Sequence, residues 1–526
     1  MARLSALGVR RLRTLYDLGN PVPLTPITVL IGRNSAGKST FARLLPLLRQ
    51  SAERKKRAPI LWFDDLVDFG TLGQAVTRGE TDLELVLQLD DISSPRGLRP
   101  TFWGEGSSPN VLRVSRAVVS MTLGEELSSG ATYAKEVRID LAGTSIRLCM
   151  KSALELESLW IGNRQHSWQS EKFRIRIEQG SLLPKLRFLE RRKVGDTEMW
   201  VAARNPWRSA VGEFILARVH GRTSRGTTTQ IASQLPVSGP GVVSASAQDI
   251  SGPGSWTTLK ATLTPESGTT KSLIDSLLLA NLDALLDRLD EVASEAALGV
   301  RYLKPLRATA ERYYRRADLA VTEIDPDGRN LAIFLDSLSK TQLDNFRGWV
   351  KANLDIDVEP KREGSQLVLM ARAPNDSGSS NVADMGFGIS QILPIAAQLW
   401  ASSNGARLPF ARTSFVVVEQ PELHLHPAFQ AKLGDLFAGV ACPETPAGGP
   451  SRAAPPPRII IETHSQHLVN RLGILVEQGR LAPADVSVVL FEADPNRVGT
   501  STVRLATFDT SGVLQNWPFG FFEPDF

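Results

Sequence analysis

The chain has 526 residues, 42% of them hydrophobic and 22% charged, which is an ordinary globular composition. Sixty basic against 56 acidic residues leave a net charge of +4, too near balance to argue for a nucleic-acid ligand. Its two cysteines, Cys149 and Cys442, exclude a disulfide framework and a zinc-type ligand set, and they fit a reducing compartment.

At the start, Met1 to Leu12 is interrupted by Arg3, Arg10 and Arg11, so it does not read as a secretory signal. No run of about 18 apolar residues occurs, so no membrane partner is expected and a cytoplasmic protein is. The length predicts two to four structural units. Short basic runs at Arg54 to Arg57, Arg191 to Lys193 and Arg312 to Arg316 read as solvated faces.

In chain order, Leu4 to Leu15 and Ile27 to Ile31 are predicted strands, and Thr40 to Leu48 a helix. Between the last two lies Gly32-Arg33-Asn34-Ser35-Ala36-Gly37-Lys38-Ser39, a complete G-x-x-x-x-G-K-S phosphate loop. Its glycines let backbone N–H groups turn toward a phosphate chain, and the following helix N-terminus adds partial positive charge. In that frame Lys38 reaches the β- and γ-phosphates and Ser39 holds Mg²⁺.

Leu83 to Leu89, Glu136 to Cys149 and Phe173 to Glu178 alternate like half-buried strands, so this region reads as β-structure. Arg222 to Thr258 turns to Ser, Thr, Gly and Pro and reads as a loop-rich or mobile insertion. Leucines between 273 and 289 give Leu273 to Ala297 one apolar helical face. Gln342 to Leu354 is a predicted helix and Gln366 to Met370 a strand, followed by a turn-rich Ala373 to Ser380. Helices at Ile389 to Trp400, Ala428 to Phe437 and Gln466 to Leu475 alternate with strands at Phe415 to Val418 and Ile459 to Ile461. Cys442 to Arg458 reads as an exposed loop, and Val486 to Phe491 with Ser501 to Leu505 as a closing strand pair.

That alternation implies an α/β fold with a mainly parallel sheet and helices on both faces. Roughly 380 residues separate Lys38 from the next phosphate-site candidates, so one catalytic fold carries a large insertion. Phe415 to Val418 is a buried run ending in Glu419, a carboxylate placed to serve the Mg²⁺ beside Ser39. Either Gln420 or Glu422 could orient the attacking water. Gly386, Gly388 and Ser390 open a helix and read either as a second anion-binding surface or as a tight turn capping an ordinary helix. His464 sits at a strand's C-terminal edge, where it can sense a phosphate. His424 and His426 have metal-like spacing, but no Cys/His set accompanies them.

Four segments resemble the ABC-type ATPases of the SMC and overcoming-lysogenization-defect group. They are Ile31 to Thr40, Met385 to Pro394 (Met-Gly-Phe-Gly-Ile-Ser-Gln-Ile-Leu-Pro), Val418 to Pro427 (Val-Glu-Gln-Pro-Glu-Leu-His-Leu-His-Pro), and Glu462-Thr463-His464-Ser465. Leu303 to Arg307, Asp327 to Leu331 and the tail Asn516 to Phe522 also resemble the group, which covers roughly 250 residues in all. About 120 to 270 matches nothing nameable.

The resemblance implies three parts: 1–120 as the first part of the ATPase domain, 121–345 as an insertion, β-rich then helical, and 346–526 as the second part. It implies ATP and Mg²⁺ as cofactors, with Gly32 to Thr40 on the phosphates and Glu419 at the metal. It assigns Gly386, Gly388 and Ser390 to a signature helix that reaches the nucleotide of a second protomer. His464 becomes the switch histidine, Leu423 to Pro427 the dimer-contacting loop, and Gln74 the glutamine that couples Mg²⁺ to the insertion. A homodimer or higher oligomer follows, working as a nucleotide-driven switch. The resemblance extends to ATPase subunits of anti-phage systems such as Septu and PARIS, which implies a separate nuclease or toxin as effector and leaves DNA open as a ligand.

Departures matter as much. Gln420 stands where transporter relatives carry the catalytic glutamate, which implies slow turnover or an ATP-gated scaffold. The signature is not Leu-Ser-Gly-Gly, which argues against a transporter subunit. Roughly 60 residues follow His464, too few for a Toprim nuclease domain.

Overall fold

The computed structural model describes residues 2–93, 110–126, 129–141, 143–168, 172–178, 180–194, 197–315, 321, 323–372, 378–403, 413–443 and 455–517. Parts of the expected turn at 373–380, of the loop at 442–458 and of the tail at 516–522 lie outside the described residues. The chain divides into two compact units. One comprises Met1–Leu12, Ser51–Phe63 and Phe69–Ala296; the other comprises Arg13–Gln50, Asp64–Asp68 and Ala297–Phe526. The boundary expected at 345 therefore falls inside the second unit, and strands on both sides of the boundary at 120 share the first.

The first unit is built on an antiparallel meander. Arg3–Leu12 pairs with Asp82–Ser93, which pairs with Leu112–Glu125, then Thr132–Leu141, Thr144–Met150 and Leu156–Ile161 in turn. Side chains along Leu112–Glu125 alternate between buried and partly exposed, as one covered face requires. A separate three-stranded sheet joins Phe173–Glu178, Lys185–Val194 and Thr197–Ala202.

Helices complete this unit, and here two expectations need correction. Arg222 to Thr258 is not loop-rich: it folds as helices Arg225–Gln234, Pro240–Asp249 and Gly254–Ala261. The residues that read as loop are helix-starting residues. Ser224 accepts a bond from Thr227 N (3.1 Å), and Pro240 occupies the first turn of its helix. Few apolar residues suffice because they are well spaced: Ile231, Val243, Ala247 and Trp256 are buried. Leu273 to Ala297 is two helices, Gly268–Ala280 and Leu282–Leu298, broken at Asn281. Asn281 is buried, and its amide donates to Leu277 O (2.8 Å) and Asn110 Oδ1 (3.0 Å).

The second unit has the expected α/β architecture. Five parallel strands lie in the order Val300–Leu303, Phe415–Glu419, Arg458–Glu462, Ile27–Gly32, Val486–Ala493. Ser501–Phe508 and Leu514–Gln515 then close the edge antiparallel. The central strands are buried along almost their whole length, as a parallel sheet covered on both faces demands. On one face Val29, Val416, Ile461 and Val488 join a core with helices Phe387–Ser403, Pro427–Ala441 and Gln466–Glu477. On the other, Phe41 of helix Lys38–Ala42 meets Phe491, ring centroids 5.9 Å apart.

Helix Phe387–Ser403 is buried continuously from Ser390 to Ser402 and contains Pro394. Gly328 lies against that proline with φ +76°, and a Cβ there would sit 2.7 Å from Pro394 Cγ. Glycine is therefore required for the close approach as well as for the left-handed backbone. A small sheet of Asp357–Glu363 and Gln366–Arg372, with helix Lys340–Leu354, completes the unit. No helix among the described residues is long and apolar enough to cross a membrane.

Candidate nucleotide site

The phosphate loop leaves the C-terminal end of the central strand, where open α/β sheets bind ligands. Its turns use left-handed backbone at Ser35 (φ 63°) and Gly37 (φ 93°). Arg33, Asn34 and Ser35 are exposed, while Ala36, Lys38 and Thr40 are buried. A Cβ at Gly37 would stand 2.6 Å from Leu15 Cδ2 and 2.8 Å from Thr14 Oγ1. Lys38 Nζ donates back to Gly32 O (3.0 Å) and Arg33 O (2.8 Å). Burial lowers the Lys38 pKa, opposed by the charges of Glu462 and Glu422.

Two carboxylates end the two strands beside the loop strand. In register, Glu419 lies opposite Glu462, and Glu462 lies opposite Leu30. Glu462 Oε1 accepts the Ser39 hydroxyl (2.7 Å). Its Oε2 is buried and has no hydrogen-bond partner among the described residues. Burial, then the charge of Glu419, pushes the Glu462 pKa up to about 7.

Glu419 is engaged differently. Arg43, four residues beyond Ser39, grips it with Nε to Oε1 (2.8 Å) and Nη2 to Oε2 (2.7 Å). The Tyr302 hydroxyl adds a third bond to Oε1 (2.7 Å). The hydrogen bond to Glu419 raises the Arg43 pKa, and burial raises that of Tyr302.

Gln420 sits in left-handed backbone (φ 42°), its N–H donating to Glu462 O (2.7 Å). Glu422 uses both oxygens: Oε2 accepts from Thr463 Oγ1 (2.8 Å) and Oε1 from the His464 N–H (2.7 Å). Burial raises its pKa. Partial burial and then the Lys38 charge lower the pKa of His464, which favours neutral imidazole.

Arg307 is 4% exposed. Its Nη2 donates to Glu419 O and Gln420 O, each at 3.2 Å, while Nε and Nη1 find no partner among the described residues. Burial lowers its pKa to about 10. Gln391 of the buried helix donates to Arg307 O (3.2 Å), which ties that helix to the carboxylate-bearing strand.

The helix start is exposed at Gly386 and Phe387 and half-buried at Gly388. A Cβ at Gly388 would lie 3.1 Å from His424 O, so the glycine admits the loop that carries His424. Ser390 is buried and its hydroxyl donates to Phe387 O (2.7 Å). His424 packs edge-on against Phe387 at 4.7 Å, and His426 accepts from Ala428 N (3.3 Å) as a helix cap. Gln74 belongs to the first unit, where it and Thr71 form a capping box: its Oε1 accepts from Thr71 N (3.0 Å).

So Lys38, Ser39, Glu419, Gln420, Glu422 and His464 gather at the C-terminal ends of the second unit's inner parallel strands. The sequence reading missed Arg43, Tyr302 and Arg307, and it gave Glu462 no role. Arg43 was traceable, since i and i+4 share a helix face with Ser39. The buried run Val300–Leu303 ahead of Arg307 was the other signal.

The donor set fits a hard divalent cation, which takes a hydroxyl, one or two carboxylates and substrate phosphates. The orphaned, buried Oε2 of Glu462 beside Ser39 is the structural mark of that fit. Among the described residues no cluster of three or more His, Cys, Asp or Glu would hold a metal unaided.

Residues 270–469 match the AAA ATPase domain family, a segment that carries Glu419, Glu462 and His464. No curated protein matches the chain by sequence. Among solved structures the chain aligns with an Smc head bound to the C-winged helix domain of ScpA, at 11% identity and TM-score 0.38, covering 97% of this chain and 99% of that one. It aligns also with an Smc head with an extended coiled coil bound to the C-terminal domain of ScpA derived from Pyrococcus furiosus, at 9% identity and TM-score 0.36, covering 96% and 97%. The SMC head domain from Thermotoga maritima aligns at 9% identity and TM-score 0.33, covering 95% and 98%.

Proposed function

We propose that this protein is an ABC-type ATPase that binds and hydrolyses Mg²⁺–ATP and works as a nucleotide-driven dimer or higher oligomer. The observation that carries this reading is the phosphate loop, with Ser39 bonded to the strand-end carboxylate Glu462 and Lys38 facing the charges of Glu462 and Glu422. Backbone N–H groups of Gly32 to Thr40 cradle the phosphates, and Lys38 exchanges its two carbonyl bonds for the β- and γ-phosphates. Ser39 and a strand-end carboxylate would hold the metal, whose charge would neutralise that of the phosphate oxygens. Gly386, Gly388 and Ser390 serve the nucleotide of a second protomer; the exposure of the helix start supports that reading. His464 senses the γ-phosphate, and the dimer moves a separate effector, a nuclease or toxin, in anti-phage defence or DNA maintenance.

ATP hydrolysis by the purified protein tests the core of this. Lys38→Ala should abolish hydrolysis, because the γ-phosphate loses its charge partner. Parent-like turnover in that variant refutes the proposal. Stimulation by double-stranded DNA would mark direct DNA sensing.

A second reading is an ATP-gated scaffold with negligible turnover. It is favoured by Gln420 in place of a carboxylate and by Glu422, whose oxygens are both engaged. Gln420→Glu then raises the rate, while Glu422→Gln leaves it near zero. Under the hydrolytic reading Glu422→Gln lowers a measurable parent rate.

A further inference from the structure

The strand order singles out one of the two carboxylates. Arg458–Glu462 is the direct neighbour of the phosphate-loop strand, and Phe415–Glu419 is one strand further out. Adjacent strands lie about 4.8 Å apart, so Glu462 starts one spacing nearer the loop than Glu419 does. The side chains follow the same division. Glu419 is 1% exposed, and Arg43 and Tyr302 engage both its oxygens and neutralise its charge. Glu462 is 2% exposed, and it holds Ser39 through Oε1 while Oε2 has no partner among the described residues. A buried polar atom without a partner is costly and rare in folded proteins. Here it points to a ligand that completes it.

We propose that Glu462, with the Ser39 hydroxyl, faces the divalent metal of a bound nucleotide, and that Glu419 acts behind it as the anchor of Arg43 and Tyr302. The inference rests on the nucleotide reading above and names a residue for its metal side. A cation there would take the Ser39 hydroxyl and the Glu462 carboxylate, a hydroxyl-plus-carboxylate set suited to Mg²⁺, and would leave the Arg43–Glu419 pair closed.

The test uses the full chain and a fluorescent N-methylanthraniloyl ATP, titrated in EDTA and again in excess Mg²⁺. Mn²⁺ binding is read separately by electron paramagnetic resonance. The parent should bind more tightly with metal. Glu462→Gln should keep its EDTA affinity, which also reports an intact fold, and should lose about tenfold or more of metal affinity, the scale seen when groups supporting a metal are removed. Glu419→Gln should keep most of the metal effect. A full metal effect in Glu462→Gln overturns the inference, whatever Glu419→Gln does. If Glu462→Gln also loses binding in EDTA, Glu462→Asp decides: unchanged Mn²⁺ affinity with the shortened carboxylate overturns the inference, and weakened affinity supports it. A parent that binds no nucleotide in either buffer refutes the nucleotide reading itself, and this inference falls with it.

Discussion

Replacing Arg43 by methionine isolates one buried ion pair. Glu419 is 1% exposed, and the guanidinium that grips it at 2.7 and 2.8 Å is the cation that compensates it. Breaking a fully buried pair from one side costs about 3–5 kcal/mol, because a charge is left uncompensated. The Arg43 side chain is 32% exposed, so solvent screens part of that, and the expected loss is about 2–3 kcal/mol. At roughly 2–4 °C per kcal/mol for a large domain, the melting temperature should fall by about 5–10 °C. The assay is thermal unfolding of Arg43→Met, Glu419→Gln and the double variant, without nucleotide. The double variant should recover most of the loss, with a coupling of at least about 1 kcal/mol. Strictly additive single effects, or a loss below about 0.5 kcal/mol in Arg43→Met, would refute the buried-pair argument.

Other consequences can be measured in parallel. Glu462 has a folded pKa of about 7 against 4.5 for the unfolded chain, so between those values the folded state binds more protons. Stability of the nucleotide-free protein should therefore fall as pH rises from 4.5 to 7, by up to about 3 kcal/mol, and then level off. Urea midpoints across that range should show the slope in the parent and a flatter one in Glu462→Gln. Gly37→Ala puts a Cβ 2.6 Å from Leu15 at φ +93°, so ATP affinity should drop tenfold or more while circular dichroism stays native; unchanged affinity would contradict the loop geometry. Glu422→Ala strips the acceptors from Thr463 and the His464 N–H and should cost about 1–3 kcal/mol in urea unfolding. Glu422→Gln, which keeps an acceptor, should cost less.

The second unit was the legible part. Gly32 to Ser39 announces itself because its strand, loop and helix are local, and Phe415 to Glu419 because a run of valines can only be buried. Helix Lys340–Leu354 and strand Phe173–Glu178 likewise follow from periodicity within a dozen residues. What stayed hidden is non-local or carried by small residues. Nothing within Arg3–Leu12 says that its antiparallel partner is Asp82–Ser93, well away along the chain. Ser224 and Pro240 read as loop residues because a cap and a turn have the same chemistry until the helix behind them is packed. Glu462 escaped notice for a related reason: the threonine and histidine after it carried the pattern, while its own role depends on Ser39, 423 residues away.

The strand order also sets a timetable. Ile27–Gly32 is made early, but its two neighbours, Arg458–Glu462 and Val486–Ala493, leave the ribosome more than 400 residues later. At 5–20 residues per second that strand waits roughly 20–90 s with both edges unpaired. The antiparallel meander of the first unit closes through neighbouring segments and can fold meanwhile. A nascent chain would thus carry a finished first unit well before the phosphate loop gained its neighbouring strands, and any truncation ahead of residue 458 leaves that loop without the strand that lines it.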